Sequence, residues 1–433
     1  MALARACDPG TNGHMRSRRT SAMASHAYSV SRPSISRQLV RVIATCGLLA
    51  VVGCSSKQEP VKPDYSRPLG PGESALRKLG PGQPWPDIAR AYRERSADLV
   101  EGIDRSIAWF AFPSSRQFFP FEDICTHEQA LESLVRFREL VQTSSTPEQF
   151  TEAVKDEFDA YQSVGYNGEG VVLFTGYYAP IFQASSIRTS RFRFPIYARP
   201  NDLVTEPVTG KPIGRRMSDG TVTSWPTRRD IESSRMLEGT EVAWLDNALD
   251  VYIIHVNGSA RLDMLDGSTM YVGYAGKTDR EYTGLGYAMI EEGLIKKDDL
   301  TLSAIKAYYR KHPEQVQELI YRNENYVFFT EYDGSNWPAG SLGVKVTPKV
   351  TLATDKAIYP RGGLVLVDTK SLELSAGRVD FNQFMLDQDT GGAIKAPGRA
   401  DIYMGVGPRA EVLAGGQYAE GNLFYFFLKR PLN

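Results

Sequence analysis

The chain reads as a mainly β protein of the barrel type with helices near its N-terminus, and three observations lead there. After Gly165, short runs rich in Val, Ile, Phe and Tyr alternate with clusters of Gly, Asn, Asp and Pro, the texture of short strands joined by tight turns. Helical periodicity is concentrated before that point. The 22 Tyr and 19 Phe supply flat apolar faces that suit both a β-rich core and a groove that stacks sugar rings. At 433 residues the chain exceeds what one compact core usually uses, so two domains are expected.

Residues 1–54 stand apart from the fold. Arg37 and Arg41 precede an apolar run from Val42 to Val52, too short to span a bilayer, which ends Gly53-Cys54-Ser55-Ser56. This pattern predicts a bacterial lipoprotein signal, cleaved before Cys54, with Cys54 lipidated as the mature N-terminus. The polar stretch before Arg37 is long, which fits a true start at Met15 or Met23, or an extended leader. With no aspartate after Cys54, the expected location is the outer membrane, facing the periplasm. Residues 55–84 are rich in Pro, Gly and Lys, have no hydrophobic period, and predict a flexible tether.

Apolar residues at Ile88, Tyr92, Leu99, Ile103 and Ile107 keep one helical face. Thr126 with Gln129, and Thr146-Pro147-Glu148-Gln149, are helix starts; Leu131, Leu134, Val135 and Leu140 follow the first, and Phe150, Val154 and Phe158 the second. Strands are expected at 171–174, 192–197, 345–352, 364–368, 384–386 and 423–428, with helices at 300–312 and 314–321. No internal repeat is apparent.

Charge and cysteine content narrow the chemistry. A net charge of -1 provides no basic field for nucleic acid. Once the leader is removed and Cys54 acylated, Cys125 is the remaining cysteine, so neither an intramolecular disulfide nor a thiolate zinc site is expected. His14, His26, His127, His255 and His312 lack metal-ligand spacing, and there is no Gly-x-Ser-x-Gly elbow, so neither a metal nor another cofactor is expected. What remains is a segment near the end: Asp389-Thr390-Gly391-Gly392-Ala393-Ile394-Lys395, then Arg399, Asp401 and Tyr403. It sets two carboxylates in a glycine-rich stretch where Gly391 and Gly392 permit positive φ and close ligand approach. The residues alone allow two readings, a rigidly held acid or two turn-capping aspartates.

That segment, followed by Asp401-Ile402-Tyr403-Met404-Gly405, resembles the signature of the membrane-bound lytic murein transglycosylase A family. Further resemblances appear in order upstream: Gly176-Tyr177-Tyr178-Ala179-Pro180, Glu241-Val242-Ala243-Trp244-Leu245-Asp246-Asn247, Val256-Asn257-Gly258-Ser259, Val272-Gly273-Tyr274-Ala275-Gly276-Lys277, and Tyr326-Val327-Phe328-Phe329. The resemblance implies a double-psi β-barrel built from two separated segments, residues 85–184 and 336–433, with a second β-barrel domain inserted at 185–335. It implies Asp401 as the catalytic acid, and Asp355, Asp389 and Asp401 as the three aspartates of the C-terminal module. Asp389 either tunes Asp401 or holds the glycine turn; Asp355 is expected to be structural.

By the same resemblance, the reaction cleaves the β-1,4 bond between N-acetylmuramic acid and N-acetylglucosamine and forms a 1,6-anhydro ring, so one carboxyl serves as acid and then as base. The implied partner is the peptidoglycan glycan strand. Tyr177, Tyr178 and Tyr274 could stack on sugars, and Asn257, Ser259, Lys277, Gly391, Gly392 and Lys395 could line the binding groove, although packing or turn roles are open for each. The chain departs from the family pattern at His255, where an acid or amide is expected, at Ala396, where glycine is common, and at Asn257, where glutamine is common. On a strand, His255 would be a satisfied structural residue. Two alternatives stand beside the transglycosylase: an endo-acting glycoside hydrolase on a related barrel, which would need a second carboxylate as base, and a noncatalytic expansin-like wall-binding protein.

Overall fold

A computed structural model describes residues 63–429. Cys54, the leader and the start of the tether lie outside them. The rest of the tether is not featureless: β1 (Leu76–Lys78) is a paired strand, and Ala75 and Leu76 are buried. Leu76 gives this Pro/Gly-rich stretch an apolar anchor, which overturns the tether expectation from there on.

The expected first helix is two, α1 (Ile88–Arg93) and α2 (Leu99–Phe110), divided by a turn in which Leu99 N donates to Ser96 O at 3.2 Å. Next come α3 (His127–Thr143) and α4 (Pro147–Glu157). Both begin at their expected threonines: Thr126 Oγ1 accepts from Gln129 N at 3.1 Å, and Thr146 Oγ1 from Gln149 N at 3.2 Å. The strands β2 (Phe158–Ser163) and β3 (Val172–Ala179) follow.

The middle of the chain holds β4 (Ile181–Ala184), β5 (Phe194–Tyr197), β6 (Leu203–Thr205), β7 (Pro212–Arg216), β8 (Val222–Thr223), α5 (Arg228–Ser234), β9 (Glu241–Leu245) and α6 (Ala248–Asn257). It continues through β10 (Ser259–Met264), β11 (Thr269–Lys277), α7 (Leu285–Glu291), α8 (Leu302–Lys311), α9 (Pro313–Ile320) and β12 (Val327–Glu331). The last section is β13 (Thr351–Ala353), β14 (Leu364–Glu373), β15 (Gly377–Asp389), β16 (Arg399–Val406), α10 (Gly407–Gly416) and β17 (Tyr418–Leu428). The strand expected over 345–352 is reduced to β13. Val350 N turns back onto Thr347 O, and Lys349 has φ 57°, so the chain there cannot be extended.

Six strands close on themselves in the order β17-β14-β15-β13-β16-β3, with β3 returning to β17. β13/β15 and β3/β16 are parallel; the other pairs of the ring are antiparallel. Closure leaves no free edge in the ring. A second ring runs β4-β10-β11-β12, continues to β5 and β9, and is completed by the single bridges Ala198↔Phe329 and Ser185↔Trp244. A barrel with a second barrel inserted into its chain is therefore the observed architecture.

The rings meet where β3 runs through Pro180 into β4, and Arg261 N donates to Pro180 O at 2.9 Å. On the return, Trp337 Nε1 donates to Val272 O at 3.1 Å. The helices of the insert contribute Leu249, Tyr252, Ile253 and Ile305 to the core that also holds Phe174 and Tyr178 of the first ring. The N-terminal helices cover another face, where the Phe137 and Phe384 rings pack edge to face at 4.8 Å.

Candidate active site

In the parallel pairing of β16 with β3, Asp401 lies opposite Thr175 and Tyr403 opposite Tyr177. Alternate residues share a face, so Arg399, Asp401 and Tyr403 stand beside Thr175 and Tyr177. Asp401 is therefore on a strand and only 1% exposed, not on a glycine-rich loop. Its Oδ1 accepts a hydrogen bond from the Thr175 hydroxyl. Arg399, itself buried, donates from Nη2 to Thr175 Oγ1 at 3.1 Å and stands 3.6 Å from Asp401 Oδ1. The Tyr177 and Tyr403 rings are 5.1 Å apart.

Asp389 ends β15 on the same side of the ring. Its Oδ2 accepts from Tyr177 OH at 2.8 Å, and its Oδ1 from the N–H groups of Ser341 and Thr390, each at 2.8 Å. Burial raises its pKa above the ordinary carboxylate value, and these hydrogen bonds oppose the rise. Tyr177, bonded to Asp389 and beside Tyr403, links the two aspartates.

The loop after Asp389 is tied down from beneath. Thr390 Oγ1 donates to Thr354 O at 2.7 Å, and Asp355 accepts from Ala396 N and Ala357 N, both at 3.1 Å. Asp355 is thus a clamp on this loop. Contrary to expectation, neither Gly391 nor Gly392 has a positive φ; the residue that does is Ala396, at 69°. Lys277 reaches over Gly392 from β11, its Nζ 3.6 Å from where a Cβ on Gly392 would lie, an ordinary van der Waals contact. Burial, and then the nearby charge of Lys395, lower the Lys277 pKa. Lys395 is largely exposed, 3.7 Å from Asp355 Oδ1.

Other predicted residues sit elsewhere. Tyr178 follows Tyr177 on β3 and so faces the opposite way: it is buried, and its OH donates to Glu411 Oε2 at 3.0 Å. It is no sugar platform. Asn257 uses its amide to bond Ile253 O at 2.8 Å, finishing α6, while Gly258 (φ 72°) caps that helix. Ser259 opens β10 beside Gly273, and the ring of Tyr274 is exposed on the insert. His255 lies in α6 rather than on a strand. It is buried against Tyr326 and Phe329, its Nδ1 is 3.1 Å from Arg228 Nη2, and burial together with Arg228 pushes its pKa well below the usual value.

Sequence reasoning assigned no role to Thr175, Arg399, or a buried ion pair inside the first ring. There Asp387 is bonded by Lys356, by Thr354 Oγ1 at 2.8 Å and by Tyr425 OH at 2.8 Å. Lys356 Nζ also donates to Thr354 Oγ1 at 3.0 Å, and the same Thr354 accepts the Thr390 bond through its carbonyl, so this pair underpins the loop. The available signals were the spacing of Asp387 two residues before Asp389 and of Arg399 two before Asp401, which puts each pair on one strand face.

Two family models match the chain: an MltA specific insert domain over residues 173–330, and a 3D domain over 350–427. The membrane-bound lytic murein transglycosylase A of Escherichia coli (strain K12) is 32% identical over 262 residues, covering 59% of this chain and 66% of that relative, just short of two thirds of its length. Among solved structures, a membrane-bound lytic murein transglycosylase from Agrobacterium tumefaciens superposes with a TM-score of 0.61 at 24% identity, over 78% of this chain and 96% of its own. E. coli MltA with bound chitohexaose gives the same TM-score, 0.61, at 24% identity, over 86% and 98%.

Proposed function

We propose that the chain is a member of the membrane-bound lytic murein transglycosylase A family, whose insert and 3D domains it matches, and that it cleaves peptidoglycan glycan strands without water, with Asp401 as the single proton-transfer group. The observation that carries this reading is the buried Asp401 beside Thr175 and Arg399, one strand pairing away from the Tyr177–Asp389 bond. In the first step Asp401 donates its proton to the O4 leaving oxygen of N-acetylglucosamine as the C1–O4 bond breaks. In the second, the C6 hydroxyl of the same N-acetylmuramic acid bonds to C1 and returns its proton to Asp401, closing the 1,6-anhydro ring. The nucleophile is intramolecular, so positioning replaces activation by a second carboxylate.

Glycan binding draws support from the chitohexaose bound to the E. coli protein. On this chain, Tyr274 offers an exposed ring, and Lys277 and Lys395 flank Gly392, where they suit the lactyl oxygens or carboxylates of a muramyl unit. Asp389 holds the turn and tunes the site through Tyr177. We place the protein at the outer membrane, facing the periplasm, through lipid on Cys54; relatives are named membrane-bound, and no helix among the described residues is long and apolar enough to cross a membrane. Cys54→Ala should release the protein from membrane fractions.

Product analysis on purified peptidoglycan tests the chemistry. Anhydro-muropeptides are expected from the wild type, and Asp401→Asn should lose at least ~100-fold of the rate while staying folded. Reducing ends in place of anhydro ends would replace the reading with a hydrolase, and a folded Asp401→Asn protein with near-normal turnover would move the acid elsewhere.

A further inference from the structure

We infer that Thr175, held in turn by Arg399, is a positioning residue that decides which oxygen of Asp401 carries the transferable proton; this rests on Asp401 being the acid. A guanidinium has only N–H donors. In the 3.1 Å contact between Arg399 Nη2 and Thr175 Oγ1, the hydroxyl oxygen must therefore accept. A hydroxyl has one hydrogen, and that of Thr175 is then free to point at Asp401 Oδ1, its other close partner. Oδ1 is thereby an acceptor. A proton placed on Oδ1 would either face the Thr175 hydrogen or force the hydroxyl to accept twice and leave its own hydrogen without a partner. The proton of the neutral acid consequently resides on Oδ2, which has no protein hydrogen bond among the described residues.

Backbone geometry makes the arrangement rigid. Thr175 and Asp401 are register partners on two parallel strands of a closed ring, so the hydroxyl cannot drift from the carboxylate without opening the sheet. A second buried arginine shows what a purely structural guanidinium looks like here. Arg228 donates from Nε to Asn323 O at 2.9 Å and from Nη2 to Asn325 O at 2.6 Å, with Glu232 3.5 Å away. Arg399 differs: its Nε finds no partner among the described residues, and it is the Nη2 group that meets Thr175 and Asp401. Burying a guanidinium so incompletely bonded is costly, and orienting Thr175 is a function that accounts for it.

The test uses the mature full-length protein on soluble glycan strands, with kcat and KM measured separately. Thr175→Val keeps the shape and removes the donor; kcat should fall roughly 10- to 100-fold, as expected for a misaligned reacting group, with KM unchanged within about twofold. Thr175→Ser restores the hydroxyl and should recover most of kcat. Arg399→Met should lower kcat by a comparable factor, and the Thr175→Val/Arg399→Met double variant should lose no more than the worse single one, because both act on one oxygen. Thr175→Ala removes the same donor if the valine variant does not fold. A folded donor-less variant with wild-type kcat, a serine variant as impaired as valine, or multiplicative losses in the double variant would each overturn the inference. A wild type that releases no anhydro ends would instead bring down the transglycosylase reading itself.

Discussion

At the scale of single residues, the carboxylates near the site do different work despite lying close in sequence. Asp389 accepts three hydrogen bonds through two oxygens, a load that asparagine, with one acceptor oxygen, cannot carry. Asp389→Asn should therefore lower stability by about 1–3 kcal/mol, read as a drop in Tm, and also shift the activity optimum in pH, because Tyr177 couples it to the face that holds Asp401. A fall in Tm with an unmoved pH profile would confine Asp389 to holding the turn. Ala396 is the converse case, a non-glycine residue at φ 69°. Ala396→Gly should raise stability by roughly 0.5–1 kcal/mol in chemical denaturation, since the left-handed backbone strains any residue with a Cβ. The departure at Ala396 was legible in the sequence; the outward or inward aim of Tyr177 and Tyr178 became legible only once they were known to share one strand.

At the scale of elements, helix starts were readable because capping is local: Thr126 and Thr146 bond the backbone three residues on. α6 is hard to read as a helix from its sequence because Val251, Tyr252, Ile253, Ile254 and Val256 are β-branched or aromatic, and burial on nearly every side erases the stripe that betrays a helix. Its caps were nonetheless present in the sequence, with Asn247 accepting from Asp250 N at 2.9 Å and Gly258 closing the other end. β16 hid in a similar way, buried along almost its whole length and so lacking alternation.

The first turn of α6 carries a pH dependence. Burial, with Asp246 and Glu411 nearby, pushes the Asp250 carboxyl up to about 6, against the Asn247 bond that lowers it. The folded protein thus holds this proton more tightly than the unfolded chain. Its contribution favours folding fully below about pH 4 and is lost as pH rises through 6. Asp250→Asn should flatten that dependence and be more stable than wild type above pH 6 by roughly 1–2 kcal/mol, measured by urea denaturation across pH.

At the scale of the whole molecule, the rings are distinct as sheets but not as cores, since helices of the insert pack with Phe174 and Tyr178 of the first ring. Unfolding should therefore give one cooperative transition, with far-UV circular dichroism and tryptophan fluorescence coinciding; two separated transitions would show the insert to be independent. That shared core was not readable from sequence, because the contacts join segments far apart along the chain. The same pairing has a temporal meaning. Thr175 and Asp401 are 226 residues apart and meet only when β16 pairs with β3, after all of the chain between them has been made. Such high contact order makes the pairing a late event in folding. A chain in which this pairing has not yet formed lacks the Thr175–Asp401 contact. On the proposed function, the capacity to cut a glycan strand arrives only with completion of the ring, so topology alone withholds it from immature forms of the chain.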